Sequence, residues 1–406
     1  MRVVQINAAF RYGSTGRTVM EMHEYLGVCG VESYVFYPSD SSDTSENDNV
    51  FSIGKKIDHS MHAFLSRLFG RQAYYSYRPT KCLIGRLRKV RPDIVILRNL
   101  HSNYINLRLL CKYLADNDIA TIVVLHDCWF YTGHCFHYTE VCCYKWKNEC
   151  HHCPLIHFNN VSWFFDTSRT VFKDKRKWIG RIKRLAIVGV SDWITDEAKQ
   201  SPIFENAKIV KRIYNWIDST VFFPKESTDL KQKLGIRDDA FLALGVAMTW
   251  DYHKGLDVFI QIAQAKPDII IVLIGQMPNL NLPSNIITVP RTTSAEELAC
   301  YYSLSDVLLN FSLQESFGKV SAEALACGTP IIVNKSTANT ELPGDCGYVV
   351  DNNDLSQILE AIESIRLRGK DFFSKRCVER SRSLFDKNKN LEEYERLFQE
   401  LIHPKE

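Results

Sequence analysis

The sequence predicts an α/β protein with two Rossmann-like domains that face each other across a cleft. The chain has 406 residues, about twice a comfortable single-domain length. Short apolar runs alternate with amphipathic stretches along its whole length, which is typical of parallel sheets with crossover helices. Hydrophobic residues make up 45% and charged residues 24%, so the chain can bury real cores.

The first domain is predicted over residues 1–206. Its strands are expected at about 2–7, 32–37, 93–97, 120–125 and 185–190. Helical patterns fill the gaps near 17–29, 57–69, 80–90, 105–117 and 169–183. The rhythm breaks at Ser201-Pro202. This break places the domain boundary near residue 206.

The second domain is predicted over residues 207–385. Its strands are expected at about 208–213, 241–247, 270–274, 286–289, 306–310 and 330–333. Its helices are expected near 255–265, 294–304, 318–327, 354–367 and 371–385. The remaining segment, 386–406, carries one apolar helical stripe that includes Leu391, Tyr394 and Leu401. We expect this last helix to pack back on the first domain.

Composition limits the classes of protein that the chain can represent. No apolar run reaches the roughly 18 residues of a membrane span, and the first residues read as a strand, not as a signal peptide. A cytoplasmic protein is therefore predicted. Basic residues outnumber acidic ones before residue 206, which suits an anionic or membrane-associated partner but is too small an excess for nucleic acid. An unevenly charged, solvated surface explains this excess equally well.

The most informative segment is 306–333, which reads as strand, loop, helix, turn and strand. Glu315 precedes the helix and Glu323 lies in its second turn, on either side of Gly318. The first N–H groups of a helix lack internal partners and carry partial positive charge, so they suit a pyrophosphate. A glycine at Gly318 lets the backbone approach a ligand closely. A carboxylate further along the helix can accept both hydroxyls of a ribose.

These residues resemble the C-terminal signature of glycosyltransferase family 4, the retaining enzymes of the GT-B fold. That signature separates two glutamates by seven residues and ends in Ala-Cys-Gly-x-Pro, and all its parts occur here. The resemblance implies that Glu315 holds donor-sugar hydroxyls and that Glu323 binds the ribose. It also implies that the amides of Phe317, Gly318 and Lys319 meet the sugar and phosphates.

A second loop of the same domain ends in Lys254-Gly255, where a strand gives way to a helix. A lysine there brings compact positive charge to a diphosphate and stabilises the leaving group. The family usually has an arginine five residues earlier, but this chain has Thr249, so one of two expected cations is missing. Whether His253 replaces it stays open. Arg291 either stacks near the nucleotide base or lies on the surface.

The first domain places polar residues after its predicted strands, where α/β folds put active residues. The resemblance implies that His126 contacts the donor sugar and that Asp127 orients it or faces the acceptor. His101 and Asn103 follow the strand at 93–97 and are candidate acceptor contacts. A buried histidine with a purely structural role is the alternative for His126.

The loop after the first strand contains Gly16 and Arg17. It lacks the G-x-G-x-x-G spacing, so its glycines alone are weak indicators. The resemblance implies that Gly16 approaches the donor phosphates closely and that Arg17 contacts an anion on the acceptor side. Retention in this family is thought to need no protein nucleophile and no metal, so we expect no catalytic cofactor. Asp116-Asn117-Asp118 precedes a strand and reads as a solvated helix end.

Five of the thirteen cysteines crowd into an insertion at about 134–154. Cys150-His-His-Cys153 is a C-x-x-C pair, and Cys135 with Cys143 would complete a four-thiolate structural zinc site. A subset of bacterial family 4 enzymes resembles this segment. Metal-free reduced cysteines are the main alternative. Within the zinc interpretation, Cys142 could replace Cys143, or a histidine could replace one thiolate.

Aromatic and basic residues interleave at 163–165 and 172–178. Such a surface suits anionic lipid headgroups at the inner membrane face, although an ordinary amphipathic helix explains it as well.

These observations predict a retaining, metal-independent hexosyltransferase-type enzyme that uses a nucleoside-diphosphate sugar. The catalytic residues would be Glu315, His126 and Lys254. The acceptor would be a glycan or polyprenyl-linked glycan in bacterial capsule, O-antigen or exopolysaccharide synthesis. The alternatives are another GT-B enzyme, such as a nucleotide-sugar epimerase, and a non-catalytic two-lobed sugar-binding protein.

Overall fold

The computed structural model describes residues 1–38, 49–226, 228–292, 294–352 and 354–403. The chain divides into two compact units. The first comprises Met1–Ile213 and the C-terminal stretch from Leu391, and the second comprises Tyr214–Asn390. The last three residues of the predicted segment 386–406 lie outside the described residues. None of the described helices combines the length and apolarity that crossing a bilayer requires.

The first unit is built on a seven-stranded parallel sheet with the order β3-β2-β1-β4-β5-β6-β7. Its central strands are buried along their whole length, as expected for a parallel sheet covered on both faces. The strands are β1 (Arg2–Ile6), β2 (Glu32–Tyr37), β3 (Val50–Ser52), β4 (Ile94–Leu97), β5 (Ala120–Leu125), β6 (Leu185–Gly189) and β7 (Ile209–Arg212). The helices are α1 (Gly13–Val28), α2 (Lys56–Phe69), α3 (Tyr77–Val90), α4 (Leu107–Asp116), α5 (Ser168–Ile179) and α6 (Asp192–Lys199).

The second unit has a six-stranded parallel sheet with the order β10-β9-β8-β11-β12-β13. Its strands are β8 (Phe241–Thr249), β9 (Ile269–Gln276), β10 (Ile286–Val289), β11 (Val307–Asn310), β12 (Ile331–Asn334) and β13 (Gly347–Val350). Its helices are α7 (Thr228–Lys233), α8 (Leu256–Ala265), α9 (Ala295–Leu304), α10 (Lys319–Ala326), α11 (Leu355–Arg368) and α12 (Lys370–Leu384). The chain then continues into α13 (Lys387–Ile402).

The C-terminal helix α13 begins at the end of the second unit and joins the first. Its apolar stripe, which includes Leu391, Tyr394 and Leu397, is buried, and the chain from Leu391 onward groups with the first unit. The predicted return of this helix to the first domain is therefore confirmed.

In each sheet the strand order reverses beside the first strand of the unit. The reversal lies between β1 and β4 in the first sheet and between β8 and β11 in the second. Ligands of open α/β sheets bind beyond the carboxyl ends of the strands at such a switch point. The residues that follow these four strands are therefore the ones to inspect for function.

The strand predicted at 208–213 does not open the second domain. It is β7, which pairs in parallel with β6 in the first sheet, with Ile187 opposite Val210. The crossover between β6 and β7 is α6, a helix of only eight residues that the sequence analysis missed. Because α6 runs into the turn at Ser201-Pro202, this region looked like a linker. The first unit therefore extends beyond the predicted boundary at residue 206.

Candidate functional site

Two loops at the switch point of the second sheet bring Lys254 and Glu315 together. The ammonium Nζ of Lys254 lies 2.8 Å from Oε1 of Glu315 and 3.2 Å from the hydroxyl of Ser312. Lys254 ends a short 3₁₀ turn after β8, and the carboxylate of Asp251 accepts a hydrogen bond from its backbone N–H. Gly255 follows with a φ of 73°, which lets the chain turn directly into α8.

The Lys254–Glu315 pair is partly open to solvent, with side chains that are 36% and 20% exposed. The negative charge of Glu315 raises the pKa of Lys254, so its ammonium stays protonated at neutral pH. A partly exposed ion pair contributes little to folding. Its charges remain accessible to an anionic ligand, which could compete with Glu315 for the ammonium.

Helix α10 begins beside this pair, and its start is shaped by Gly318. Gly318 has a φ of 82°, in the left-handed region that favours glycine. A Cβ at this position would lie 2.7 Å from Cδ1 of Leu342, so a larger residue would require that side chain to shift. The preceding segment is fixed as well, because the N–H of Glu315 donates to the hydroxyl of Thr337 at 2.9 Å. The hydroxyl of Ser316 is buried and has no hydrogen-bond partner among the described residues.

Glu323 lies inside α10 and is almost fully buried. The hydroxyl of Tyr302, itself inaccessible to solvent, donates a hydrogen bond of 2.9 Å to Oε2 of Glu323. Burial and the adjacent carboxylate raise the pKa of Tyr302 well above its ordinary value, so the phenol keeps its proton. Glu323 is therefore held in one orientation by a neighbouring side chain that the sequence analysis did not name.

The other predicted donor-site residues occupy varied positions in the second unit. The ring of Phe317 packs between Tyr214 and Phe385 at centroid distances of 6.1 and 5.3 Å, so its side chain belongs to the core. Lys319 is half-buried at the first position of α10. Arg291 is exposed after β10.

The position at which the family usually has a second cation lies where β8 gives way to the following loop. Thr249 is exposed at the end of β8. The carbonyl of His253 accepts a hydrogen bond from the N–H of Leu313, which ties the two switch-point loops together. The adjacent Trp250 is buried and donates through its ring N–H to the carbonyl of Ile274. The buried indole thus anchors the loop to β9.

In the first unit, His101 and Asp127 form a hydrogen-bonded pair. Nε2 of His101 lies 2.8 Å from Oδ2 of Asp127, and the N–H of Trp129 donates to Oδ1 at 2.9 Å. Burial alone would raise the pKa of Asp127, but His101 and these hydrogen bonds outweigh it and hold the pKa below its ordinary value. Two residues predicted separately as acceptor contacts are therefore joined by a hydrogen bond.

His126 follows β5, and its Nε2 lies 3.0 Å from a guanidinium nitrogen of Arg98, which follows β4. Arg98 is completely buried. The sequence analysis did not name it, although its position directly after a buried strand at the switch point is the signal that could have identified it.

The remaining predicted site residues of the first unit are Gly16, Arg17 and Asn103. Gly16 lies within α1, and a Cβ there would be 3.2 Å from the Cβ of Ala9, so its observed close approach is to its own chain. Arg17 is half-buried in the same helix. Asn103 has a φ of 60° in the loop before α4, and the next residue, Tyr104, donates its hydroxyl to the carbonyl of Asn99.

The four cysteines predicted to bind zinc lie within the part of the chain that the structure describes. No group of three or more described His, Cys, Asp or Glu side chains is arranged to hold a metal ion. The zinc prediction is therefore not confirmed. The four predicted ligands are nonetheless neighbours, since Cys143, Cys150 and Cys153 all lie close enough to Cys135 to influence its pKa.

Burial raises the pKa of Cys135, Cys150 and Cys153, to about 12 at Cys150 and about 11 at Cys153. The N–H of Gly133 donates to Sγ of Cys150 at 3.2 Å, a contact that also suits a thiolate. Cys142, in contrast, is exposed and its thiol donates to the carbonyl of Thr139. Of the two adjacent cysteines, Cys143 is therefore the one that belongs to the cluster.

A buried lysine anchors the segment that precedes the cluster. Nζ of Lys175 donates to the carbonyls of Trp129 and Thr132 at 2.5 and 3.0 Å. Burial lowers the pKa of Lys175 to about 7. The aromatic residues beside it in α5, Phe172 and Trp178, are buried as well. The segment 172–178 therefore does not expose its aromatic side chains, contrary to the surface that the sequence suggested.

The second unit of the chain matches a known protein family. Residues 226–383, which span nearly all of the second unit, match the family model described as "Glycosyl transferases group 1". The second unit is therefore similar to the group 1 glycosyl transferases. The two parallel-sheet, Rossmann-like units of the chain make its fold GT-B.

The individual relatives of the chain are distant in sequence. The chain is 25% identical to the N-acetyl-alpha-D-glucosaminyl L-malate synthase of Bacillus anthracis over 48% of its own length, and the match spans about half (55%) of that relative's length. It is 20% identical to the putative colanic acid biosynthesis glycosyl transferase WcaC of Escherichia coli K12, over 99% of this chain and 100% of WcaC. The fold resembles that of Anabaena Alr3699/HepE in complex with UDP and glucose, with a TM-score of 0.67, 13% identity and 98% coverage of both chains.

Proposed function

We propose that this chain is a group 1 glycosyl transferase, a retaining, metal-independent enzyme of the hexosyltransferase type. It moves a sugar from a nucleoside-diphosphate sugar to a glycan or lipid-linked glycan acceptor in bacterial polysaccharide synthesis. The observation that carries the proposal is the meeting of Lys254 and Glu315 at the switch point, beside the start of α10. A cation, a carboxylate and free helix N–H groups are what a sugar diphosphate requires.

The chemistry assigned to each group follows from its charge and position. Lys254 and the first amides of α10 neutralise the charge that develops on the departing diphosphate. Glu315 accepts hydrogen bonds from donor-sugar hydroxyls, and Glu323 does so from the ribose. The protein positions the substrates, and the acceptor attacks from the side on which the diphosphate leaves. His126 of the first unit takes part in the transfer, with His101, Asp127, Arg17 and Asn103 as acceptor-side residues.

Two relatives support the substrate classes without determining them. WcaC is a putative colanic acid biosynthesis glycosyl transferase. The Anabaena protein was solved with UDP and glucose. The first agrees with a polysaccharide product, and the second agrees with a nucleotide-sugar donor.

A donor screen tests the proposal against its alternatives. Uridine and guanosine diphosphate sugars are added to the full chain, and the unfolding temperature is measured, since a ligand that binds the folded state raises it. We expect at least one nucleotide sugar to raise the unfolding temperature more than the free sugar does. A response to free sugars alone would indicate a sugar-binding protein. Recovery of the donor sugar as its epimer, without transfer to an acceptor, would indicate an epimerase.

The Tyr302–Glu323 hydrogen bond gives a prediction about ribose recognition. Replacing Tyr302 by phenylalanine removes the donor that orients the carboxylate. We expect the preference for a nucleoside diphosphate over its 2′,3′-dideoxy analogue to fall about tenfold, the worth of one hydrogen bond to a charged group. Titration calorimetry with both ligands measures this preference. Tyr301→Phe, in the same helix, should leave it unchanged, and an unchanged preference in Tyr302→Phe would contradict the role of Tyr302.

The cysteine cluster gives a second prediction. We propose that Cys135, Cys143, Cys150 and Cys153 hold a structural zinc ion, because four neighbouring thiols suit tetrahedral zinc and bound metal keeps them deprotonated. Metal analysis of the purified full chain should find about one zinc per chain. Cys150→Ser should lose the metal and lower the unfolding temperature, whereas Cys142→Ser should do neither. A wild-type chain without zinc, purified without chelators, would favour the metal-free interpretation.

We further propose peripheral contact with anionic membranes through the first unit. Helix α2 buries His62 and Ser66 while exposing Ile57, Met61 and Phe64, the reverse of an ordinary surface helix. The ring of Phe64 lies 5.9 Å from that of Trp163, and Phe164 and Phe165 beside it are exposed as well. Lys55, Lys56 and Arg67 are exposed near this apolar face, which is the composition of an interfacial helix.

Vesicle sedimentation tests this surface. The wild-type chain should sediment with vesicles that contain phosphatidylglycerol and less with neutral ones, because the exposed lysines and arginine favour anionic headgroups. Phe164→Ser should weaken the binding several-fold. Leu367→Ser, which alters an even more exposed apolar residue of the second unit, should not. Equal binding by both variants would contradict the assignment.

A further inference from the structure

Arg98 is a buried cation at the switch point of the first sheet. It directly follows β4, and its side chain is completely inaccessible to solvent. One guanidinium nitrogen donates to Nε2 of His126 at 3.0 Å, and the other donates to the sulfur of Met22 at 3.4 Å. The Nε atom has no hydrogen-bond partner, and no carboxylate pairs with the guanidinium among the described residues.

This arrangement is costly for folding. A buried guanidinium is normally paired with a carboxylate, because desolvation penalises an uncompensated charge. Burial lowers the pKa of Arg98 accordingly, but an arginine side chain does not lose its proton in proteins. The carboxylate next to His126 in the sequence, Asp127, is bound to His101 and to the N–H of Trp129 instead. Stability does not explain why an arginine occupies this position.

The contact does constrain the protonation of His126. A guanidinium has only donors, so Nε2 of His126 must be the acceptor. The single proton of the neutral imidazole then lies on Nδ1. A second proton on Nε2 would break the hydrogen bond and place another positive charge beside the first.

We propose that Arg98 is a positioning residue that holds His126 as the neutral tautomer with its proton on Nδ1. His126 then serves the reaction as a hydrogen-bond donor through Nδ1 and not as a general acid or base through Nε2. This inference rests on the proposed function in one respect, since that function assigns His126 to the transfer. The tautomer itself follows from the contact alone.

Nitrogen NMR of the full chain tests the tautomer directly. The histidines are labelled with ¹⁵N, and the His126 signals are assigned by their loss in His126→Gln. We expect Nδ1 at the shift of a protonated ring nitrogen and Nε2 at that of an unprotonated one. Protonation on Nε2, or on both nitrogens, would overturn the proposal. This measurement needs no substrate and no variant that alters Arg98.

Arg98→Met tests the functional half. Replacement of an uncompensated buried charge by an apolar side chain of similar length should leave the unfolding temperature equal or higher. The kcat of transfer should nevertheless fall about tenfold or more, because His126 is no longer held. Met22→Leu, which removes only the sulfur contact, should keep kcat. An unchanged kcat in Arg98→Met, or a loss that follows a lowered unfolding temperature, would overturn the positioning role.

The two proposals can fail separately. Transfer activity in an enzyme whose His126 carries its proton on Nε2 would overturn this inference alone. The absence of transfer from every donor, with His126 protonated on Nδ1, would overturn the proposed function alone.

Discussion

Replacing Glu315 by glutamine is expected to lower the turnover of sugar transfer by about 10²- to 10³-fold while the chain stays folded. The change keeps the shape of the side chain but removes the negative charge that holds Lys254 at 2.8 Å. It also weakens the charged hydrogen bonds proposed for the donor sugar. Because the backbone of this residue is bound independently by Thr337 and Ala338, the loop should keep its conformation.

The measurement is kcat with saturating donor, together with the unfolding temperature of both proteins. Glu360→Gln is the matched control, since Glu360 is an exposed glutamate of α11 in the same unit. It should leave kcat unchanged. If Glu315→Gln retained full turnover, Glu315 would not touch the reacting sugar.

Replacing Lys254 by methionine is the second change with a large expected effect. Thr249 stands where the resemblance predicts another cation, so we expect Lys254 to bear more of the diphosphate charge than usual. We expect kcat to fall about 10²-fold or more, together with the affinity for the nucleoside diphosphate. The variant also leaves Glu315 without its cation, which adds repulsion against the anionic ligand.

A double-mutant cycle separates these two causes. Lys254→Met and Glu315→Gln are measured alone and together by calorimetry with the nucleoside diphosphate. We expect the Glu315→Gln change to restore part of the affinity that Lys254→Met loses, because it removes a negative charge that would repel the ligand. Lys335→Met, at an exposed ion pair with Asp351, should leave the affinity unchanged. Unaltered affinity in Lys254→Met would exclude this lysine as a diphosphate contact.

Much of the fold could be predicted from sequence because long apolar runs and strong helical periodicity mark its central elements. The strands β4, β5 and β6 are buried on both faces and appear as near-continuous aliphatic runs. The missed strands, β3 and β13, have only three and four residues, too few for a periodic signal. The strand β7 was assigned to the wrong sheet for a similar reason. The helix α6, which connects it to β6, spans barely two turns and was not predicted.

The candidate site was predictable where its residues form a local motif. Glu315, Gly318 and Glu323 lie within nine residues of one another, so the segment itself carries the signature. Tyr302, Arg98 and Lys175 were missed because each acts through a partner distant in sequence. Tyr302 reaches Glu323 across 21 residues and Arg98 reaches His126 across 28. Only the folded sheets bring these side chains together.

The central claim is that the chain transfers a sugar from a nucleotide donor held by Lys254 and Glu315. Its most direct test measures nucleoside diphosphate release from a panel of uridine and guanosine diphosphate sugars, with a polyprenyl-linked glycan as acceptor. We expect one donor to release its nucleoside diphosphate together with a glycosylated product, and we expect Glu315→Gln nearly to abolish both. No release from any donor, or equal release by the wild type and Glu315→Gln, would contradict the central claim.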